Sequence, residues 1–381
     1  MSIELVRHLL IPPLALAHGA FWGIVLSNLL YLRRQQPTAP RSWPRLSVCI
    51  PARNEAQNLR RLLPTLAAQD YPDFEVLVWD DGSDDGTWDV LSTHHFPELT
   101  RLRGNDPPAS WIGKVHALYQ CTRRASGDCY VFLDADTELH DPDALRHLVA
   151  RHTGSETAVS SGMPTLTGGA LLLVSLVPHA LLQSLPWPLV PRTSLPALSA
   201  LNGQCWLIDG DTYHTHEPHA AVQNAVLEDV AIGRYLKAHG HPPTLLDVQD
   251  LVSVHMYDSF GAAWRGFRKN AYLLLGGTAL SFAAMYTGFV MVWLGAPLVS
   301  AWFIASLYGL KFVTDRASGM PLRITVLAPV SFVLGLALQL DSALHHWTDR
   351  VTWKGRSVPS SAPPPAGRAP GTQPHPPETD G

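Results

Sequence analysis

Residues 9–32 read LLIPPLALAHGAFWGIVLSNLLYL and carry no formal charge. No water satisfies backbone N–H and C=O groups inside a bilayer, so a run of this length crosses as a helix that closes its own hydrogen bonds, with Pro12 and Pro13 near its start. The alternative is a cleaved signal peptide. Against it, the run is longer than a signal core and no small-x-small cleavage site precedes the arginines. Arg33, Arg34, Arg41 and Arg45 follow at once, and positive charge beside a span marks the cytoplasmic side. An anchor over 1–34 therefore points the next domain into the cytoplasm of a multi-pass cell-membrane protein.

A second apolar region runs over 272–347. LLLGGTALSFAAMYTGFVMVWLGAPLVSAWFIASLYGLKFV offers one tilted or two short spans, and ITVLAPVSFVLGLALQL at 324–340 offers another. Arg350, Lys354 and Arg356 after it favour a cytoplasmic end, which needs an even number of crossings. Three segments can be drawn, so one is expected to be re-entrant or interfacial. Residues 357–381 are dominated by Pro, Ser, Gly and Thr, which cannot bury enough apolar surface to fold, and a disordered tail is expected there.

Between the apolar ends, 45–270 reads as a soluble α/β mixture. The net charge is −4 with no basic run, which points away from nucleic acid. Cys49, Cys121, Cys129 and Cys205 are dispersed without CxxC spacing, as expected of buried free thiols in a reducing compartment. LSVCIPA, FEVLVWDD and CYVFLDAD are short apolar runs that end in polar residues, separated by helix-like segments at about 55–68 and 113–125. Strand and helix alternate, which predicts a largely parallel sheet. Ligands bind at the carboxyl ends of such strands. Here those ends carry Asn54 and Glu55, then Asp80 and Asp81, then Asp134 and Asp136. Each alone could be a turn or a helix cap.

Together, PARNE (51–55), DDGSDDGT (80–87), GKVHAL (113–118), DAD (134–136) and LED (227–229) resemble the family 2 glycosyltransferases, enzymes of GT-A fold that use nucleotide-activated sugars. The resemblance implies that Pro51, Arg53 and Glu55 lie against base and ribose of the donor, with Asp81 in the same region, and that Lys114 lies near its phosphates. Asp134 and Asp136 would hold one Mg²⁺ or Mn²⁺ whose other positions the diphosphate fills. LEDVAIGRYLKAHG has apolar positions at 227, 230, 232 and 236 and reads as an amphipathic helix with Glu228 and Asp229 in its first turn. Acidic residues there also suit the helix dipole. The resemblance implies that the Glu228–Asp229 pair supplies the base, Asp229 matching it, for an inverting displacement.

AAWRGFRKNAY at 262–272 lacks the QxxRW motif of the family's processive polymerases, which favours transfer of a single sugar to a small or lipid acceptor. Arg265 and Arg268, three apart, share one helix face and could reach the donor diphosphate or lipid headgroups. ALLLVSLVPHALLQSLPWPLVP at 170–191 is either buried core or, with Trp187, an interfacial segment that admits a lipid acceptor. NGQCWLI (202–208) resembles the family's acceptor-side strand. The whole layout resembles the membrane glycosyltransferases of bacterial carotenoid and hopanoid pathways, which implies a UDP-sugar donor and an isoprenoid acceptor. Competing readings are a polyprenyl-phosphate sugar synthase, whose acceptor needs no strong base, and a non-catalytic membrane scaffold, against which the intact carboxylates at Asp81, Asp134, Asp136 and Asp229 stand.

Overall fold

The computed structural model describes residues 3–104, 106–348, 350, 352–353 and 356–357. Its centre is a seven-stranded sheet of β1 (Leu46–Ala52), β2 (Phe74–Asp80), β3 (Leu99–Arg103), β4 (Cys129–Leu133), β6 (Val159–Met163), β8 (Cys205–Asp209) and β9 (Thr244–Asp247), in the order β3-β2-β1-β4-β8-β6-β9. A smaller sheet holds β5 (Thr137–Leu139), β7 (Thr165–Thr167) and β10 (Val252–His255), in the order β5-β10-β7. In the large sheet β3, β2, β1 and β4 run parallel, β8 is antiparallel to both neighbours, and β6 and β9 are parallel. The sheet is thus mostly parallel, as the alternation of strand and helix predicts.

Continuous apolar runs make these strands because both sheet faces are covered. Val48, Ile50, Val131 and Leu133 point to one face, where Leu59, Leu62, Leu63 and Leu66 of the helix Ala56–Ala67 meet Leu145 and Leu148 of Ala144–Gly154. Cys49, Tyr130 and Phe132 alternate to the other, against Ala117, Leu118 and Cys121 of the helix Gly113–Thr122 and Ile232 and Leu236 of Glu228–Ala238. All four cysteines are buried free thiols.

Among the described residues three helices are long and apolar enough to cross a bilayer: Arg7–Arg34, Ala279–Val299 and Ala328–Trp347. Leu16, Leu280 and Leu298 on them are more than three-quarters exposed, a surface that lipid rather than water would cover. Between the last two runs lies Ala301–Ala317, whose buried Lys311 pairs with Asp315 and donates from Nζ to Ser175 Oγ at 3.1 Å, while Asp315 Oδ2 accepts from Thr325 Oγ1 at 2.7 Å.

The segment 170–191 folds as Leu171–Val174, Leu176–Ser184 and a 3₁₀ turn at Trp187–Leu189. Trp187 is fully buried with Leu32, Leu182, Val190 and Leu245. Asn28, inside the N-terminal helix, donates to the carbonyls of Leu182 at 2.8 Å and Leu185 at 2.7 Å and accepts from Trp187 N at 2.8 Å. Of the two expected readings of 170–191, buried core and interfacial segment, Trp187 takes the first. Thr352–Trp353 and Arg356–Ser357 pair antiparallel, so Ser357, the first residue of the expected tail, lies in a short ribbon, while 358–381 and Lys354 lie outside the described residues.

Candidate active site

The carboxyl ends of β1, β2 and β4 open on one edge of the sheet. Two turns there brace each other. Arg53 Nη1 donates to Asp81 O at 2.5 Å, Asn54 N to Ser83 Oγ at 3.0 Å, Glu55 N to Thr87 Oγ1 at 2.8 Å and Ala56 N to Asp85 Oδ2 at 3.1 Å. Asn54 sits at φ 53°, the left-handed region that Asn tolerates better than most residues, and its Oδ1 accepts from Asp84 N at 3.0 Å. Pro51 is in register with Trp79, and Asp81 N donates to Ala52 O at 2.8 Å, so Pro51, Arg53, Glu55 and Asp81 form one rigid wall.

Across from it Lys114, at the start of its helix, bridges Asp134 Oδ1 at 2.7 Å and Glu228 Oε1 at 2.9 Å. Residues more than ninety positions apart meet because β4 and the helices Gly113–Thr122 and Glu228–Ala238 converge at this edge. Asp229 Oδ1 accepts from Val230 N at 2.8 Å and Oδ2 from Gly203 N at 3.2 Å. Only glycine permits that approach without crowding, since a Cβ at 203 would lie 3.3 Å from Asp229 Oδ2 and 3.4 Å from Lys114 Nζ. The adjacent Gln204 O accepts from Asp134 N at 3.2 Å, which ties the 202–204 loop to both acids.

These contacts set the charges. Burial pushes the Asp229 carboxyl up to about 6, the neighbouring Glu228 charge adding to it and Lys114 opposing. Burial would raise Glu228 too, but the Lys114 and Lys269 charges outweigh it and hold that carboxyl below its usual value. Lys114, despite burial, is held well above the ordinary lysine value by Asp134 and Glu228. Near them His219 lies tilted against the stacked rings of Phe132 and Trp206, with centroids at 5.0 and 5.7 Å, and burial lowers it to about 3, so it is neutral.

Asp136 lies on the turn after β4, its carbonyl accepting from His255 N at 2.9 Å. Its charge and that of Asp134 add to burial in raising the Tyr257 phenol. Among the described residues no three His, Cys, Asp or Glu are gathered to hold a metal by themselves. Two carboxylates at 134 and 136 are nevertheless hard oxygen donors of the type Mg²⁺ and Mn²⁺ take, with phosphate oxygens able to complete the shell.

The helix Phe260–Leu274 places its cations differently. Arg268 Nη1 lies 3.1 Å from His345 Nε2 and 3.7 Å from Asp341, on the apolar helix Ala328–Trp347, and Arg265 is exposed. Lys269 is the residue of this helix whose charge acts on Glu228, Lys114, Asp134 and Asp229. Sequence reasoning passed it over; its place four residues after Arg265, on the same face, was the available signal.

An α/β sheet with acids and a lysine gathered at the carboxyl edge of its parallel strands, and apolar helices near both ends that could span a membrane, is an arrangement similar to that of GT-A glycosyltransferases. Residues 47–217 match the family described as Glycosyl transferase family 2, and the chain is a glycosyltransferase. It is similar to the 4,4'-diaponeurosporenoate glycosyltransferase of Staphylococcus haemolyticus, 24% identical over 337 residues that cover 82% of this chain and 88% of the relative. The Staphylococcus aureus (strain MRSA252) enzyme of the same name is 24% identical over 271 residues, 67% of each chain. Among solved structures the fold is similar to that of a mannosyltransferase from Pyrobaculum calidifontis, in complex with GDP-Man and Mn2+, with a TM-score of 0.57 and 19% identity over 92% of this chain and 100% of the other.

Proposed function

We propose that this glycosyltransferase moves one sugar, with inversion, from a nucleotide sugar, a UDP-sugar, to an isoprenoid lipid of the membrane, working from a cytoplasmic domain over 45–270. The observation that carries the reading is the meeting of Asp134, Lys114, Glu228 and Asp229 at the open edge of the sheet. Pro51, Arg53, Glu55 and Asp81 form the wall for base and ribose, and Lys114 meets the donor diphosphate. Asp134 and Asp136 would hold Mg²⁺ or Mn²⁺, which when bound neutralises phosphate charge on binding and as the diphosphate leaves.

Asp229 accepts the proton of the acceptor as its oxygen attacks the anomeric carbon. A carboxyl raised to about 6 is still ionised at neutral pH and is a stronger base than an ordinary aspartate. Glu228 holds Lys114 in place and keeps Asp229 raised. The names of the two relatives begin with a carboxylate; an acceptor of that kind attacks already ionised and leaves Asp229 no proton to take, whereas an acceptor hydroxyl requires the base.

Calorimetric titration of UDP into the detergent-solubilised chain, with Mn²⁺ and with EDTA, tests the donor side. Binding is expected only with the metal, and Asp136→Ala should weaken it sharply, because the diphosphate would then sit among uncompensated carboxylates. Equal affinity in both conditions would remove the metal from the reading.

A further inference from the structure

The turn Gly168–Gly169, with Leu171, Leu172, Phe260 and Ile324, walls an open cleft of about 370 Å³, and Arg323 lines it as well. None of these residues belongs to the catalytic edge. Gly168 stands at φ 132°, Gly169 N donates to Tyr257 O at 2.7 Å, and a Cβ at 169 would run into the Asp258 carbonyl. The two glycines thus let the chain after β7 lie against 257–258, which sets Phe260 beside the 168–172 segment. Phe260 opens a helix that is fixed to Ala328–Trp347: Trp264 Nε1 donates to Asp341 Oδ2 at 2.8 Å, Tyr272 N to Ser342 Oγ at 2.9 Å, and His346 Nε2 to the Lys269 carbonyl at 2.9 Å. On the other wall Thr325 Oγ1 donates to Asp315 Oδ2 and folds Leu322–Val326 back along the end of Ala301–Ala317. The cleft is therefore built before anything enters it.

Contacts place it at one level of the molecule. Gln35, which follows Arg33 and Arg34 on the first helix, donates to Leu245 O, and Gln249 Nε2 donates to Ala317 O at 2.8 Å. The ends of Arg7–Arg34 and Ala301–Ala317 that carry exposed Arg33, Arg34 and Arg316 thus meet the large sheet at β9 and the turn after it. Arg323 comes seven residues after Arg316, on the segment folded back there. Cations at such ends sit among lipid headgroups when the helices lie in a bilayer. Around Arg323, Leu322, Val326, Leu327 and Val330 are 42–62% exposed. Among the described residues Arg323 pairs with no carboxylate, and the nearby Asp258 is taken by His255 at 2.6 Å.

We propose that this cleft binds an anionic phospholipid, its phosphate on Arg323 and the start of one acyl chain along Leu171, Leu172, Phe260 and Ile324. An unpaired guanidinium calls for a phosphate, which it can hold through two parallel N–H donors. The apolar walls give free phosphate nothing and an acyl chain a place out of water. Bound there, the lipid joins the 168–172 segment of the sheet domain to the apolar helices. The inference rests on those helices lying in a bilayer and is independent of the sugar and the acceptor used at the catalytic edge.

The test titrates the full chain in detergent with short-chain phosphatidylglycerol, phosphatidylcholine of the same chains, and glycerol 1-phosphate, and counts bound molecules by native mass spectrometry. Wild type is expected to bind phosphatidylglycerol about fivefold tighter than phosphatidylcholine, the preference one arginine supplies near lipid. Arg323→Gln should abolish that preference, Arg323→Lys should keep most of it, and Arg316→Gln should leave it whole. Leu172→Gln should weaken both lipids alike. Equal binding of the two lipids by wild type, or a preference that survives Arg323→Gln, would overturn the proposal. An equal loss in Arg316→Gln would replace the site with a diffuse field of arginines, and displacement of phosphatidylglycerol by equimolar glycerol 1-phosphate would make it a site for free phosphate; either result overturns the lipid.

Discussion

Lys114 and Lys311 are both paired with carboxylates, and they live in opposite surroundings. Lys311 and Asp315 are sealed, with side chains 0% and 1% exposed, and their remaining polar atoms are met by Ser175 and Thr325. Lys114 is 31% exposed and shared between Asp134, at 25%, and Glu228, at 12%. A sealed pair with every partner supplied has one arrangement and can only hold helices together. An open, shared pair can exchange a partner for a ligand at small cost, since water still screens it. Burial and completeness, rather than the presence of an ion pair, separate scaffold from site here.

The sharpest way to break the comparison is to cut the sealed pair. Lys311→Met alone should destabilise the fold by about 3–5 kcal/mol, because Asp315 is left charged and buried, whereas Lys311→Met with Asp315→Leu should regain most of it. Thermal unfolding in detergent reads both, and a single variant as stable as wild type would refute the assignment. On the open side, Asp229→Asn keeps the shape but not the base, and single-turnover transfer should fall at least about a hundredfold with donor affinity nearly intact. Near-normal transfer would hand the role to Glu228 or to an acceptor that needs no base.

Acidity gives a smaller effect. Asp229 must be ionised to take a proton, so activity is present above its value of about 6 and lost below it. At pH 5 the rate should be about tenfold under its plateau, and the Asp229→Asn residual rate should lack that limb. Smallest of all is the stability cost of Lys114→Met, expected under about 1 kcal/mol in the same unfolding experiment that reads Lys311. A large loss there would make Lys114 a structural residue and erase the contrast.

The sheet and the acids on its edge were readable because each strand is a self-contained apolar run and each turn after it is short and polar. β1, β2 and β4 announce themselves in LSVCIPA, FEVLVWDD and CYVFLDAD. What a linear reading missed depends on tertiary partners. Trp187 looks like an interfacial anchor until Asn28 is seen capping the carbonyls around it. Lys311 and Asp315 lie i, i+4 in a stretch that hydropathy reads as span, and only the fold shows Ser175 and Thr325 beside them. Arg265 and Arg268 drew the eye for their charge, yet Arg265 is exposed and Arg268 turns to His345 and Asp341, while it is the charge of Lys269 that acts on the acids. The chain has five lysines, and position, not charge, distinguishes this one.

The seam between Phe260–Leu274 and Ala328–Trp347 also carries a mechanical consequence. The fifteen-residue helix Phe260–Leu274 is bolted to the apolar helix Ala328–Trp347 by Trp264, Tyr272 and His346. Whatever tilts Ala328–Trp347 must swing Phe260–Leu274 as well. With Ala328–Trp347 in a bilayer, turnover should respond to the acyl length of the host lipid even when the acceptor, the donor and their concentrations are held constant.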